Sequence, residues 1–158
     1  WDYGEEKAGR KIAQAIVTAR KEKMFVTTTD LVQVIEKVAP KRFGSAHPAT
    51  RIFQALRIAV NRELEALESV LQQAFTFLSP SGRIAVISYH SLEDRIVKDF
   101  FKKETRACIC SQELLQCACG GRSQTLRLVN KKPLLASTAE VDTNPRSRSA
   151  KLRIAEKL

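Results

Sequence analysis

No apolar run in this 158-residue chain approaches the roughly 20 residues that a membrane-spanning helix needs, which excludes such a span within it. Its first ten residues, WDYGEEKAGR, lack both the basic start and the apolar stretch of a secretory signal. No internal repeat or low-complexity tract appears. Acidic residues are in deficit: 17 Asp and Glu stand against 27 Lys and Arg, a formal net charge of +10 and a pI of about 9.8. The imbalance favours a polyanionic partner, nucleic acid ahead of an anionic membrane surface. The chain is expected to be soluble and cytoplasmic, an ordinary domain or part of a larger one, with enough apolar sequence to bury a core. Because it starts at Trp1 rather than Met, on residues that already read as helix interior, a fragment is expected.

What is present reads as a helical part followed by a mixed one. Ile12, Ala13, Ile16, Val17 and Ala19 recur at helical spacing, predicting an amphipathic helix over residues 5–22 with Glu5 and Glu6 in its first turn. A second helix, capped by Thr29 or Asp30, carries Leu31, Val34, Ile35 and Val38 and stops before Pro40. After the basic loop KRFGSAHP, a periodic segment runs to Leu78 as one long helix or as two joined near Asn61. SPSG is a turn. RIAVISYH is apolar and rich in β-branched residues, which argues for a strand buried on both faces of a parallel sheet. SLEDRIVKDFFKK follows at once as a helix, with Ser91 at the N-cap and Asp94 three residues on. TLRLVNKKPLLAS and SAKLRIAEKL read as two further strands, an antiparallel pair at one sheet edge. This order of elements is that of an α/β protein.

Three groups of residues stand out. In open α/β sheets, ligands bind beyond the carboxyl ends of the strands, where helix N-termini present free N–H groups. Ser88, Tyr89, His90 and Ser91 lie at such a point, although a histidine there also serves simply to bond a neighbouring carbonyl or carboxylate, and helix capping alone explains SLED. In HPATRIFQALRIAVN, Arg51 and Arg57 flank a helix start, an arrangement suited to phosphate or to a solvated face. Cys108, Cys110, Cys117 and Cys119 form C-x-C-x6-C-x-C. Four thiols in one window suit a tetrahedral zinc site, but the usual structural spacing is C-x2-C, and the alternative is a reduced, cysteine-rich loop. A cytosolic setting argues against stable disulfides.

HPATRIFQALRIAVNRELEALE, GRIAVISYHSLEDRIVKDFF, CICSQELLQCACG and NPRSRSAKLRIAEKL occur in that order in the MraW/RsmH family, and YGEEKAGRKIAQAIVTAR resembles the segment upstream. The resemblance covers essentially the whole chain. It implies an S-adenosylmethionine-dependent methyltransferase acting on the N4 amine of a cytidine in 16S ribosomal RNA. The implied fold is the C-terminal half of a Rossmann-like class I methyltransferase plus the end of a helical insertion. Residues 1–45 would belong to the insertion and 46–158 to the catalytic domain. The glycine-rich cofactor loop of the family precedes this region, and none of the six glycines here forms a G-x-G-x-x-G loop after a strand, so no cofactor-binding residue is assigned in the chain. His90, with Ser88 on the same strand face, is expected to position the target base or accept its proton, with Tyr89 opposed to both. With the small ribosomal subunit as partner, Arg51, Arg57, Arg146, Arg148 and Lys151 are expected to hold RNA phosphates, while Arg153 reads as the outward side of a strand. A non-catalytic basic RNA-binding α/β module is the alternative.

Overall fold

A computed structural model describes residues 3–40, 47–107, 110 and 124–158. The chain divides into two compact units, Trp1–Glu63 and Leu64–Leu158.

The first unit is helical. Helix α1 spans Gly9–Glu22, α2 Thr28–Val38 and α3 Pro48–Asn61. Helix α1 starts later than its apolar pattern suggested, because Glu5 takes a positive φ of 47° and the Glu6 carboxylate accepts the Ala8 N–H at 3.1 Å. The predicted acidic first turn therefore lies ahead of the helix, whose N-cap is Ala8. In α2 the cap is Thr27 rather than Thr29 or Asp30. Thr27 Oγ1 accepts from the Asp30 N–H at 3.2 Å while Asp30 Oδ2 accepts from the Thr27 N–H at 2.8 Å, a closed capping box. Ile12, Ile35 and Ala49, one from each helix, form the buried centre. Gly4 packs against α3, where a Cβ would stand 3.0 Å from the Arg51 carbonyl oxygen.

The periodic segment from Ala49 to Leu78 is two helices. Arg62 caps α3 at φ 52°, and α4 runs over Glu63–Phe77. A left-handed arginine costs backbone energy, and bonds from Arg57 Nε (2.8 Å) and Asn61 Nδ2 (3.1 Å) to Glu63 Oε1 tie the break together.

The second unit sets α4 and α5, Ser91–Glu104, against a four-stranded sheet. Its strands are β1, Arg83–Ser88; β2, Leu126–Leu128; β3, Leu134–Leu135; and β4, Lys151–Lys157. The order is β1-β4-β2, and β3 continues along the β2 edge of β4. Both late segments are strands and pair antiparallel, as expected. Among the described residues β1 differs from the expected doubly buried strand of a parallel sheet. It pairs antiparallel with β4, and Arg83, Ala85 and Ile87 on one face are exposed while Ile84 and Val86 pack on the core. An apolar run carries no information on strand direction, and β-branched residues populate half-covered strands equally well.

Leu71, Val97, Phe101, Leu126 and Ala155 form the buried core, with Phe75 and Phe100 packed edge-on at 6.3 Å. The second predicted strand is split by Asn130. Its Nδ2 donates to the Lys132 and Leu152 carbonyls, and its Oδ1 accepts from the Ile154 N–H at 2.7 Å, so one side chain joins β4 to the turn between β2 and β3. Lys157 Nζ donates to the Leu78 carbonyl at 2.6 Å and the Phe75 carbonyl at 3.2 Å, closing the C-terminus of α4. Ahead of β1, Ser81 adopts φ 63°, and a Cβ on Gly82 would meet the Ser79 carbonyl oxygen at 2.7 Å and Leu78 Cδ1 at 2.9 Å. Gly82→Ala is expected to destabilise the protein by about 1–3 kcal/mol, the usual cost of overpacking, read as a lowered urea midpoint.

Candidate active site

β1 ends on Ser88 and α5 begins on Ser91, so Tyr89 and His90 make the whole connection. So short a link works because the turn satisfies its own backbone. His90, extended at φ −139°, ψ 165°, is the N-cap, and its Nδ1 accepts the Glu93 N–H at 3.4 Å. Glu93 Oε2 reaches back to accept from the Tyr89 N–H at 2.8 Å and the His90 N–H at 3.2 Å. The result is a capping box with imidazole in place of the usual hydroxyl or carboxamide.

The predicted Ser91–Asp94 pair is thus displaced by one residue: Ser91 is the first helical residue, and Asp94 faces another partner. Arg153 Nε donates to Asp94 Oδ1 at 2.7 Å, Arg153 Nη2 to Oδ2 at 3.2 Å, and Lys151 Nζ to Oδ2 at 3.3 Å. Side chains of Asp94 and Arg153 are each only 12% exposed. Arg153, which the strand pattern alone places outward, therefore lies beneath the first turn of α5. The Arg153 guanidinium holds the Asp94 carboxyl below the usual carboxylate range, with Lys151 adding to the effect.

His90 has both ring nitrogens turned toward Glu93. Accepting at Nδ1 puts the proton of the neutral ring on Nε2, which is buried 3.2 Å from Glu93 Oε1 but makes no hydrogen bond. Ser88, 3% exposed, donates its hydroxyl to the Lys151 carbonyl at 3.4 Å and is part of the β1–β4 seam. Tyr89 is 55% exposed, the aromatic ring open to solvent at this strand end. Glu93, absent from the residues that sequence reasoning singles out, holds the junction. Its signal is the acidic residue three places after His90, hidden because Ser91 and Asp94 fit the same spacing.

The expected RNA-contacting residues fall in both units. Arg51 meets Glu6 at 3.4 Å, and Arg57 makes a two-pronged pair with Glu63 at 2.8 and 2.9 Å, both within the first unit. In the second unit Lys151 is bound to Asp94. Arg146 and Arg148 are exposed on a 3-10 turn, Pro145–Ser149, with no carboxylate partner among the described residues; the turn is held by buried Ser147, whose hydroxyl donates to the Asn144 carbonyl at 2.8 Å. Cys108, Cys117 and Cys119 lie outside the described residues, so the zinc reading does too; Cys110 is half-buried. Thr125 N–H donates to the Glu104 carbonyl at 3.0 Å and Thr125 Oγ1 to Glu104 Oε2 at 2.7 Å, joining the end of α5 to the start of β2.

The described residues form no cradle for S-adenosylmethionine. Gly9 opens α1, Gly4 packs against α3, and Gly82 sits in the turn before β1. At the end of β1 the backbone donors that would greet an anionic ligand are taken by Glu93. No helix among the described residues is long and apolar enough to cross a membrane.

The model of the MraW methylase family matches residues 1–158. A protein of Dehalococcoides mccartyi named ribosomal RNA small subunit methyltransferase H is 54% identical over 158 residues, covering 100% of this chain and 44% of the relative. Proteins of the same name from Heliobacterium mobile and Thermomicrobium roseum are each 51% identical, with 51% and 48% of their lengths covered. The chain spans about half the length of the curated relatives it matches.

Proposed function

The chain belongs to the MraW methylase family, and on that basis we propose that its gene product transfers a methyl group from S-adenosylmethionine to the N4 amine of a cytidine in 16S ribosomal RNA. The names of its relatives support a small-subunit ribosomal RNA substrate, and the mixed helix and sheet order of the second unit supports the C-terminal part of a Rossmann-like catalytic domain. In this reading residues 1–45 end an insertion in that domain, residues 46–158 belong to its catalytic part, and the enzyme works in the cytoplasm. S-adenosylmethionine would supply an electrophilic methyl; its cradle is not among the described residues, which bear on the acceptor side of the reaction.

The acceptor is a poor nucleophile, because the lone pair of the cytosine amine is delocalised into the ring. It needs a fixed orientation and an acceptor for its N–H as charge develops. The base must first be splayed out of its stack. The β1–α5 junction suits the binding of such a base, since it lies at the carboxyl end of a strand, is fixed by two interlocking hydrogen-bonding partners, and presents an open tyrosine. The observation that carries this assignment is the His90–Glu93 box. His90 is a positioning residue in this reading, since both ring nitrogens are directed at Glu93 and neither offers a lone pair to a substrate. Ser88 supports it from the strand seam. Arg146 and Arg148, exposed and without a carboxylate partner among the described residues, hold RNA phosphates; Arg51, Arg57 and Lys151 would do so while sharing their charge with a carboxylate. The activity is tested by incubating the full gene product with S-adenosylmethionine labelled in its methyl group and small subunits from cells lacking the gene. Label is expected in the RNA, and none in subunits from wild-type cells.

A further inference from the structure

Arg51, Arg57, Lys151 and Arg153 are paired with Glu6, Glu63 and Asp94. Helix α1 differs. Its Arg10, Lys11, Arg20 and Lys21 are exposed, Glu22 is its single acidic residue, and none of the four has a carboxylate partner among the described residues. Lys37 of α2 is likewise exposed and unpaired. The acidic residues of α2 are engaged elsewhere, Asp30 in the N-terminal box and Glu36 with His47 Nε2 at 2.9 Å.

A groove of about 450 Å³ runs between α1 and α2, within the roughly 300–1,000 Å³ of small-ligand sites. Two adjacent stripes of α1 divide the work. Ile12 and Ile16 go to the core, while Lys11, Ala15 and Ala19 face the groove at helical spacing. Ala15, Ala19, Val34 and Val38 give it an apolar floor; Lys11, Gln14, Thr18 and Lys37 line it with cations and hydrogen-bonding groups, and Glu22 is its single carboxylate against the two lysines.

We propose that the α1–α2 groove binds a single-stranded segment of RNA. Lys11 and Lys37 would meet phosphates, Gln14 and Thr18 a base edge, and the alanine and valine floor the face of a base, which can approach closely because alanine ends at Cβ. Each phosphate neutralised releases a counterion, so unpaired lysines beside an apolar strip favour a polyanion with flat apolar surfaces. A second copy of this chain would instead bring the same positive charge against itself. The inference rests on the proposed RNA substrate and extends it to a surface that the functional assignment does not use.

The test uses the full gene product and a labelled single-stranded fragment of 16S RNA. Lys11→Ala with Lys37→Ala is expected to weaken binding about tenfold and to lower the slope of log affinity against log salt by about 1.4, two phosphates at roughly 0.7 each. Thr18→Trp fills the groove from an exposed helix position without changing charge, and is expected to weaken binding by a similar factor while thermal unfolding and S-adenosylmethionine affinity stay unchanged. Wild-type RNA affinity in Thr18→Trp overturns the proposal whatever the lysine pair does, since diffuse charge alone would then explain the latter. A wild-type dimer that Thr18→Trp dissociates overturns it in favour of a second copy. Normal methylation with normal binding by every groove variant defeats this inference alone; groove-dependent RNA binding by a protein that methylates nothing defeats only the reading it rests on.

Discussion

Asp94→Ala is expected to destabilise the second unit by about 3–5 kcal/mol, the cost of leaving a buried charge without its partner. The magnitude follows from Arg153, only 12% exposed and donating to both Asp94 oxygens. Exposed ion pairs are worth far less, about 0–1 kcal/mol, so Arg83→Ala, which removes one of two arginines on Glu156 at the open sheet face, is expected to change stability little. Acid should act on the same group. Because the Asp94 carboxyl is held below its ordinary range, the native state binds its proton less readily than the unfolded chain. Its contribution is complete above about pH 4 and is lost as pH falls through the depressed native value. Urea unfolding at several pH values should therefore show wild type losing stability at acid pH. Asp94→Asn should be weaker at pH 7 with a flatter acid limb, the two curves converging as pH drops. Parallel curves would show that Asp94 does not titrate as the arginine contact requires.

Glu93→Ala should have the second large effect, and mainly on activity. It strips the acceptor from the Tyr89 and His90 N–H groups, costing about 1–3 kcal/mol of stability. A displaced junction should also cost on the order of 100-fold in methyl transfer, because small misplacements of a substrate-orienting element lower rates steeply. His90 gives the sharper comparison. His90→Ala removes the cap and should cost about 1 kcal/mol. Asparagine caps helices well, so His90→Asn is expected to restore stability and to keep transfer within about tenfold of wild type. A general base would instead lose roughly 10²–10⁴-fold in both variants. Melting temperature and single-turnover methyl transfer on the same preparations separate the two roles.

The elements and the odd junction were legible in the sequence; their partners were not. RIAVIS and SLEDRIVKDFFKK announce a strand and a helix through composition and period, and both appear where expected. The one-residue shift of the cap was not legible, since HSLE and SLED both fit a capping box and only Arg153, 59 residues from Asp94, breaks the tie. The alternation along KLRIAEK gives two faces without saying which is inside, so it leaves Arg153 on the wrong one. Strand direction was hidden for the same reason: the antiparallel pairing of β1 with β4 joins residues over 60 positions apart. The split between β2 and β3 depends on three hydrogen bonds of Asn130, one donated to and one accepted from β4. At the site, charge pointed to RNA, but ion pairing redistributes that charge: Lys151 is engaged with Asp94, whereas Arg146, Arg148 and the cations of α1 have no carboxylate partner among the described residues.

If the gene product methylates the N4 amine of a cytidine in small-subunit RNA through a target-base side built on the β1–α5 junction, the modified nucleoside must depend on both the gene and the junction. Nucleoside mass spectrometry of 16S RNA reads this in cells that carry the wild-type gene, no gene, or the gene with Glu93→Ala. An N4-methylated cytidine is expected with the wild-type gene, its loss without the gene, and its strong depletion with Glu93→Ala at equal protein abundance. An N4-methylated cytidine unchanged by deletion, or a methyl group on another atom, would contradict the assignment.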